Sequence, residues 1–223
     1  YPELHDLVAD QRRVLRDSRA DHLQGAVLVD GDRWTHQLEM VVFHPSGEQP
    51  DDDLVLAGLS DDRSRAQVAD MTYQQYLELF DWSEDALRAA GDWSRPHPWL
   101  MTFLPGSTAV DVAEGVLRDL APAEFGPFGR ITLYPFATRG ISTPLVRIPD
   151  EPEIFTFNLV RSAPHDSERV GEVLEQNGVL YRRVRDAGGK LYPVSAVDLT
   201  ADDWAEHFGP RWPMLHRAKE RFD

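Results

Sequence analysis

Histidines are the side chains here best suited to acid–base or metal chemistry, and their spacing supports neither role. The chain contains eight histidines and no cysteine, and no two histidines are spaced as H-x-x-x-H. A G-x-G-x-x-G turn, a P-loop and a G-x-S-x-G nucleophile elbow are also missing from the sequence. We therefore expect no complete catalytic or metal-binding constellation within this chain.

Ligand binding by apolar strands is the chemistry that the residue types do allow. Trp99 begins a strand-like run in which alternate side chains, Met101 and Phe103 after it, share one face. In the run from Ile131 to Pro135, the same alternation groups Leu133 with Pro135. Such a stripe belongs to a hydrophobic core more often than to a binding site, so both interpretations stay open on the pattern alone.

Apolar periodicity and turn residues predict an α+β fold. Helices are predicted over 2–20, 73–90, 107–121 and 166–187, with two more after a capping box at Thr200 and Asp203. Strands are predicted over 23–29, 35–44, 54–59, 66–71, 99–104, 131–137, 154–161 and 190–197. Since the elements do not alternate regularly, we expect a mainly antiparallel sheet with helices packed on one face and the other face left open.

Composition narrows the classes of partner. The 223 residues, enough for one large or two small domains, carry a net charge of −15. This charge argues against nucleic acid or an anionic membrane as a partner, because a phosphate-binding surface needs clustered Lys and Arg. No run approaches 18 apolar residues, so we expect no membrane span and a soluble protein.

Six short motifs follow one another along the chain. They are Tyr76-Leu77-Glu78-Leu79-Phe80, His97-Pro98-Trp99-Leu100, Ile131-Thr132-Leu133-Tyr134-Pro135, Leu174-Glu175-Gln176-Asn177, Trp204-Ala205-Glu206-His207-Phe208-Gly209 and Arg217-Ala218-Lys219-Glu220-Arg221-Phe222-Asp223. In this order they resemble the substrate domain of cytokinin dehydrogenases, flavoenzymes related to vanillyl-alcohol oxidase. The likeness extends from about Asp10 to the last residue.

The resemblance implies that residues 1–223 form a substrate-binding domain with a ferredoxin-like sheet. FAD would be held mainly by a separate FAD-binding domain of the same protein, which is absent from this chain and carries the catalytic residue. The implied reaction oxidises a C–H bond next to an amine or alcohol of a small-molecule substrate. Since the chain itself shows no catalytic constellation, a non-enzymatic acidic α+β binding module is the alternative.

Site residues also follow from the resemblance. Seven are implied, with Gln24 near the flavin and the remainder around the substrate: Phe80, Trp99, Met101, Pro135, Ala137 and Ser195. Tyr134 is expected in the core, and Arg161 either in a surface salt bridge or against the flavin domain. Three positions depart from the family pattern, because Gln24 replaces a Glu, Met101 replaces an Asn and Ser195 replaces a Leu.

Overall fold

The computed structural model describes residues 1–126 and 128–222, except for the side chains of Phe80, Trp82 and Ser167. Its strands are β1 (His22–Asp30), β2 (Arg33–Val41), β3 (Leu100–Pro105), β4 (Arg130–Ala137), β5 (Glu153–Val160) and β6 (Lys190–Leu191). Its α-helices are α1 (Leu4–Asp17), α2 (Asp52–Val55), α3 (Tyr73–Ala89), α4 (Ala109–Asp119), α5 (Ser167–Asp186), α6 (Ala201–Phe208) and α7 (Trp212–Phe222). Short 3-10 helices span Arg63–Arg65, Pro122–Phe125 and Gly209–Arg211.

The strands form a single antiparallel sheet in the order β2-β1-β4-β5-β3-β6. From β3 onward the chain runs β3-α4-β4-β5-α5-β6, and the order β4-β5-β3-β6 is that of a ferredoxin-like unit. The β1–β2 hairpin extends this unit by pairing with β4. The predicted α+β class with a mainly antiparallel sheet is therefore confirmed.

Helices α1, α4 and α5 cover one face of the sheet. The side chains of β3, β5 and β4 that alternate toward these helices are buried, and they join the helices in one hydrophobic core. In the strands, this core contains Val27, Leu100, Leu104, Ile131, Leu133, Phe155, Phe157 and Leu159. The side chains between them point to the opposite side of the sheet, which we call the open face.

Gly25 lets α1 pack closely on the junction of β1 and β4. The ladder between these strands ends at Ala26 and Thr132. The next carbonyl, that of Leu133, instead accepts a 2.7 Å hydrogen bond from the buried amide of Gln11 on α1. A β-carbon at Gly25 would overlap this amide and the Leu133 carbonyl. Only glycine leaves room for the Gln11 side chain that replaces the missing strand contact.

Two short strands predicted between residues 54 and 71 are wrong. Asp51 caps α2 by accepting a hydrogen bond from the Leu54 amide, and Asp62 caps the following 3-10 helix in the same way. Local capping by aspartate therefore overrides the apolar run Leu54-Val55-Leu56. The segment 66–71 has no regular structure, and Val68 is 65% exposed.

Other predictions are met in part. The capping box at Thr200 and the Asp166 cap of α5 are confirmed. The last strand was predicted too long, because β6 ends at Leu191 and Pro193 has no N–H with which to extend the ladder. The expected cap at Ser107 is wrong, since Thr108 occupies that position and Ser107 bonds to Glu151. In the described part of the chain, no helix is long and apolar enough to cross a membrane.

We predict that Gly25→Ala destabilises the protein by about 1–3 kcal/mol, the usual cost of overpacking a filled interior. The matched control is Gly171→Ala in α5, where an added β-carbon meets nothing within 4 Å. The free energy of unfolding of that variant should rise by about 0.5–1 kcal/mol, because alanine has a higher helix propensity than glycine. Urea denaturation measures both changes, and equal stability of the two variants would contradict the packing described at Gly25.

Candidate functional site

The open face carries two adjacent rows of side chains at the centre of the sheet. Met101 on β3 lies opposite Asn158 on β5, which in turn lies opposite Thr132 on β4. In the next row Phe103 lies opposite Thr156, which lies opposite Tyr134. Met101, Phe103 and Tyr134 are only partly buried, while the shorter side chains between them are buried. The long side chains therefore form the rim of a shallow surface with a polar floor.

Aromatic rings extend this surface toward the edge of the sheet. The Phe103 ring contacts Phe136 and Tyr192 edge to face, with centroids 6.0 and 5.7 Å apart. Trp99 directly precedes β3 and is 37% exposed, with its ring 5.8 Å from that of His97. The predicted row of Trp99, Met101 and Phe103 thus follows the alternation of β3, and its members lie outside the buried core cluster.

The predicted orientation of β4 is wrong. Leu133 is fully buried in the core, and Pro135 follows it two residues later on the helix-covered side, opposite Phe155. Ala137 is exposed near Arg16 and Ser18 of the α1 end rather than beside Met101. The structure therefore does not bring Pro135 and Ala137 together with Trp99 and Met101.

Tyr134 takes the place that the prediction gave to Pro135. It lies on the open face, half-buried, rather than in the core. Tyr134 was assigned to the core and Phe136 was not predicted, because residues 131–137 other than Thr132 are apolar or aromatic on both faces, so the alternation does not distinguish them.

Gln24 lies on the open face of β1, opposite Glu39 of β2. Its neighbours Leu23 and Gly25 point to the helix side, where Gly25 meets Gln11. Within the described residues, its side-chain amide forms no hydrogen bond. Gln24 therefore presents both a carbonyl oxygen and an NH2 group on the same side of the sheet as Met101.

Ser195 forms hydrogen bonds with the backbone of β3 through its hydroxyl. Its hydroxyl donates to the Met101 carbonyl at 2.7 Å and accepts from the Met101 amide at 2.8 Å. The Ala196 amide donates to the Trp99 carbonyl at 2.7 Å. The segment after β6 thus continues along β3 through a serine side chain in place of the ladder that Pro193 interrupts. Ser195 holds the strand that carries Met101.

Asn158 forms the polar centre of the open face and was not predicted. Its carbonyl oxygen accepts from the Thr102 amide at 3.2 Å, and its NH2 group donates to the Thr132 hydroxyl at 3.0 Å. The signal for it was a lone Asn within the mostly apolar strand β5. These bonds fix the floor of the surface beneath Met101.

The histidine of the Trp204–Gly209 motif has no catalytic setting. His207 is 6% exposed, neither ring nitrogen has a partner, and the ring packs against Trp204 and Phe208. Burial, followed by the charges of Lys190 and Arg147, lowers the pKa of His207 to about 4. The imidazole is therefore neutral near pH 7 and serves as an aromatic packing group. No group of acidic, histidine or cysteine side chains in the described ranges could hold a metal ion.

Two further predictions concern residues outside this surface. The side chain of Phe80 lies outside the described residues, so its predicted place around the substrate stays a prediction. Arg161 was expected at the surface or against another domain. It is instead 2% exposed and bonds to Gln176 and Asn177 of α5.

A flavin dinucleotide fits this chain only in part. Its pyrophosphate needs a nest of successive backbone N–H groups. In the described residues, no two glycines with positive φ are adjacent in sequence. Its flat ring could lie against a partly apolar surface such as the open face, which carries aromatic rims and a polar floor.

The comparisons with known proteins agree with one another. The family model described as "Cytokinin dehydrogenase 1, FAD and cytokinin binding" matches residues 53–223. An uncharacterized oxidoreductase of the fasciation locus of Rhodococcoides fascians is 32% identical over all of this chain and 50% of its own length. Cytokinin dehydrogenase 4 of Arabidopsis thaliana is 29% identical over 92% of this chain and 40% of its own length.

A third relative, cytokinin dehydrogenase 4 of Oryza sativa subsp. japonica, is 33% identical over 69% of this chain and 29% of its own length. The chain thus spans half or less of the length of these curated relatives. The family model, however, covers well over half of the chain. The chain therefore belongs to the FAD- and cytokinin-binding family of the cytokinin dehydrogenases.

Proposed function

We propose that this chain is the substrate-binding domain of an FAD-dependent oxidoreductase that oxidises a C–H bond next to an amine or alcohol. Its relatives are named as oxidoreductases and cytokinin dehydrogenases and are longer than this chain. In this proposal the open face of the sheet covers the substrate and the flavin ring. FAD is held mainly by a second domain of the same protein, since the sequence contains no G-x-G-x-x-G turn or P-loop to cradle its pyrophosphate.

The observation that carries the proposal is the asymmetry of the sheet. One face is filled by α1, α4 and α5, whereas the other presents Met101, Phe103 and Tyr134 only partly buried. Apolar side chains that remain unpacked around a fixed polar floor are typical of a ligand surface rather than a core. A non-enzymatic binding module would share this surface, but membership in the flavoenzyme family favours the oxidoreductase.

The residues of the chain then have positioning roles. Trp99 and Phe103 provide apolar walls that exclude water and hold a planar substrate. Asn158, already fixed by Thr102 and Thr132, keeps the floor rigid, and Gln24 offers a donor and an acceptor from β1. The flavin, when bound, supplies the hydride acceptor, and this chain contributes orientation of the substrate.

Trp99→Ala tests this assignment in the complete gene product supplied with FAD. We expect the KM for isopentenyl adenine to rise at least tenfold, because the wall that stacks on the substrate is removed. The free energy of unfolding should fall by less than the ~3–5 kcal/mol of a core aromatic truncation, since Trp99 is 37% exposed.

The control is Phe157→Ala, which removes a fully buried ring from the core and should cost that full amount. Steady-state kinetics with an artificial electron acceptor and thermal denaturation measure both variants. An unchanged KM with a collapse in stability for Trp99→Ala would show that Trp99 is a core residue. A gene product that binds no FAD would contradict the proposed function itself.

Specificity should depend on Gln24 and Met101, which face the same side of the sheet. Met101 offers almost no hydrogen bond to a purine, and Gln24 lacks the charge of the Glu found in the family pattern. Each buried polar group left unpaired costs about 1–3 kcal/mol, so two losses lower kcat/KM roughly a hundredfold or more. We therefore predict that isopentenyl adenine is a poor substrate of this protein.

The double variant Gln24→Glu/Met101→Asn should raise kcat/KM for isopentenyl adenine by a factor of that order. Glu39→Gln is the matched control, because it changes a charge on the same face at the residue paired with Gln24. It should leave kcat/KM within about threefold of wild type, a change below 1 kcal/mol. Efficient turnover of isopentenyl adenine by the wild type, with no gain in the double variant, would show that Gln24 and Met101 do not set specificity. The protein would then have the substrate preference of a cytokinin dehydrogenase.

A further inference from the structure

A buried guanidinium lies behind the strand that presents Trp99 and Met101. Arg161 follows β5, is 2% exposed and packs with its charge 5.6 Å from the centre of the Phe125 ring. Its Nη1 donates to Gln176 Oε1 at 2.5 Å and its Nη2 donates to Asn177 Oδ1 at 2.7 Å. Burial lowers the pKa of Arg161 to about 10, so the group stays protonated at pH 7.

Charge on Arg161 fixes the orientation of the Asn177 amide. The carboxamide oxygen must face the guanidinium, because a reversed amide would direct its N–H groups at another donor. With the oxygen so placed, Asn177 Nδ2 donates to the carbonyls of Pro98 and Ala196, both at 3.0 Å. Asn177 is fully buried, so these three bonds are shielded from water.

The two carbonyls belong to the two segments that build the edge of the candidate site. Pro98 directly precedes Trp99, and Ala196 directly follows Ser195, whose hydroxyl binds the backbone of Met101. The ladder between β3 and β6 ends at Leu191, so regular strand pairing does not set the spacing of these segments. Direct bonds to Trp99 and Met101 join the segments locally, and the Asn177 side chain adds a bridge from α5 to both of them at Pro98 and Ala196.

We propose that Arg161 and Asn177 are positioning residues for the substrate wall. Arg161 fixes the amide of Asn177, and Asn177 holds the backbone at Pro98 and Ala196 so that Trp99 and Met101 face the substrate. The role in substrate binding rests on the proposed function, whereas the clamp between the two segments can be tested without it.

Asn177→Asp separates positioning from folding. The carboxylate keeps the size of the side chain and forms an ion pair with Arg161, so the fold retains a partner for the buried charge. Both donors to Pro98 and Ala196 are lost, however, and oxygen then faces oxygen. We expect the KM for isopentenyl adenine to rise at least tenfold while kcat changes less than threefold.

Gln176→Glu is the matched control, because it introduces the same charge beside the same guanidinium. Gln176 donates to Glu124 at 3.3 Å, and in the described residues it forms no hydrogen bond with Pro98 or Ala196. It should leave the KM within twofold of wild type. An equal rise of the KM in both variants would show that any added charge disturbs the site, and it would overturn the clamp.

Amide hydrogen exchange of the complete gene product tests the clamp without substrate. In Asn177→Asp, exchange should accelerate at least tenfold in the segments 97–102 and 192–197 and stay unchanged in β4. Wild-type exchange in these segments would overturn the proposal. If the wild-type protein oxidises no substrate and Asn177→Asp still shows this exchange pattern, the proposed function is refuted and the clamp stands.

Arg161→Lys provides a second variant should Asn177→Asp fail to fold. Lysine keeps the charge but lacks the rigid fork that orients both amides of α5. It should accelerate exchange in the same two segments by a smaller factor and raise the KM in proportion. A folded Arg161→Lys protein with wild-type exchange and KM would contradict the role of Arg161.

Discussion

The antiparallel register of β3, β5 and β4 is the constraint on which the rest of the molecule depends. Pairing Met101 with Asn158, and Asn158 with Thr132, sends every alternate side chain of three strands to the same side. Leu100, Leu104 and Leu133 then fill the core under the helices. A shift of one residue in any strand would exchange its core set for its open-face set. The candidate site is thus built from the alternate side chains of these strands that do not enter the core.

The register also explains which predictions from the sequence succeed. The pattern alone left the face of Trp99 and Met101 open, since Leu100 is apolar as well, and the family resemblance directed them toward the substrate. The face of Pro135 was not predictable, since Ile131, Leu133, Tyr134 and Phe136 are all apolar or aromatic and either set could have filled the core. Asn158 and Asn177 were missed as site residues because their roles depend on contacts with Thr132 and Pro98, which lie far away in sequence.

Backbone chemistry supports the site where regular strand pairing ends. Gln11 satisfies the Leu133 carbonyl beyond the end of the β1–β4 ladder, and Ser195 satisfies the Met101 amide beyond β6. Asn177 joins two carbonyls on the same edge. A side-chain amide or hydroxyl therefore pairs backbone groups at the ends of these ladders. The fold thereby ends its ladders near the site without leaving these groups unpaired.

The central claim is that the open face lies over the flavin and the substrate. Oxidative footprinting of the complete gene product, with FAD bound and after its removal, tests this most directly. The account predicts that Trp99, Met101 and Tyr192 react several-fold more slowly with FAD bound, while Phe222, 75% exposed at the end of α7, reacts at the same rate in both states. Equal reactivity of Trp99 and Met101 in the two states would contradict it.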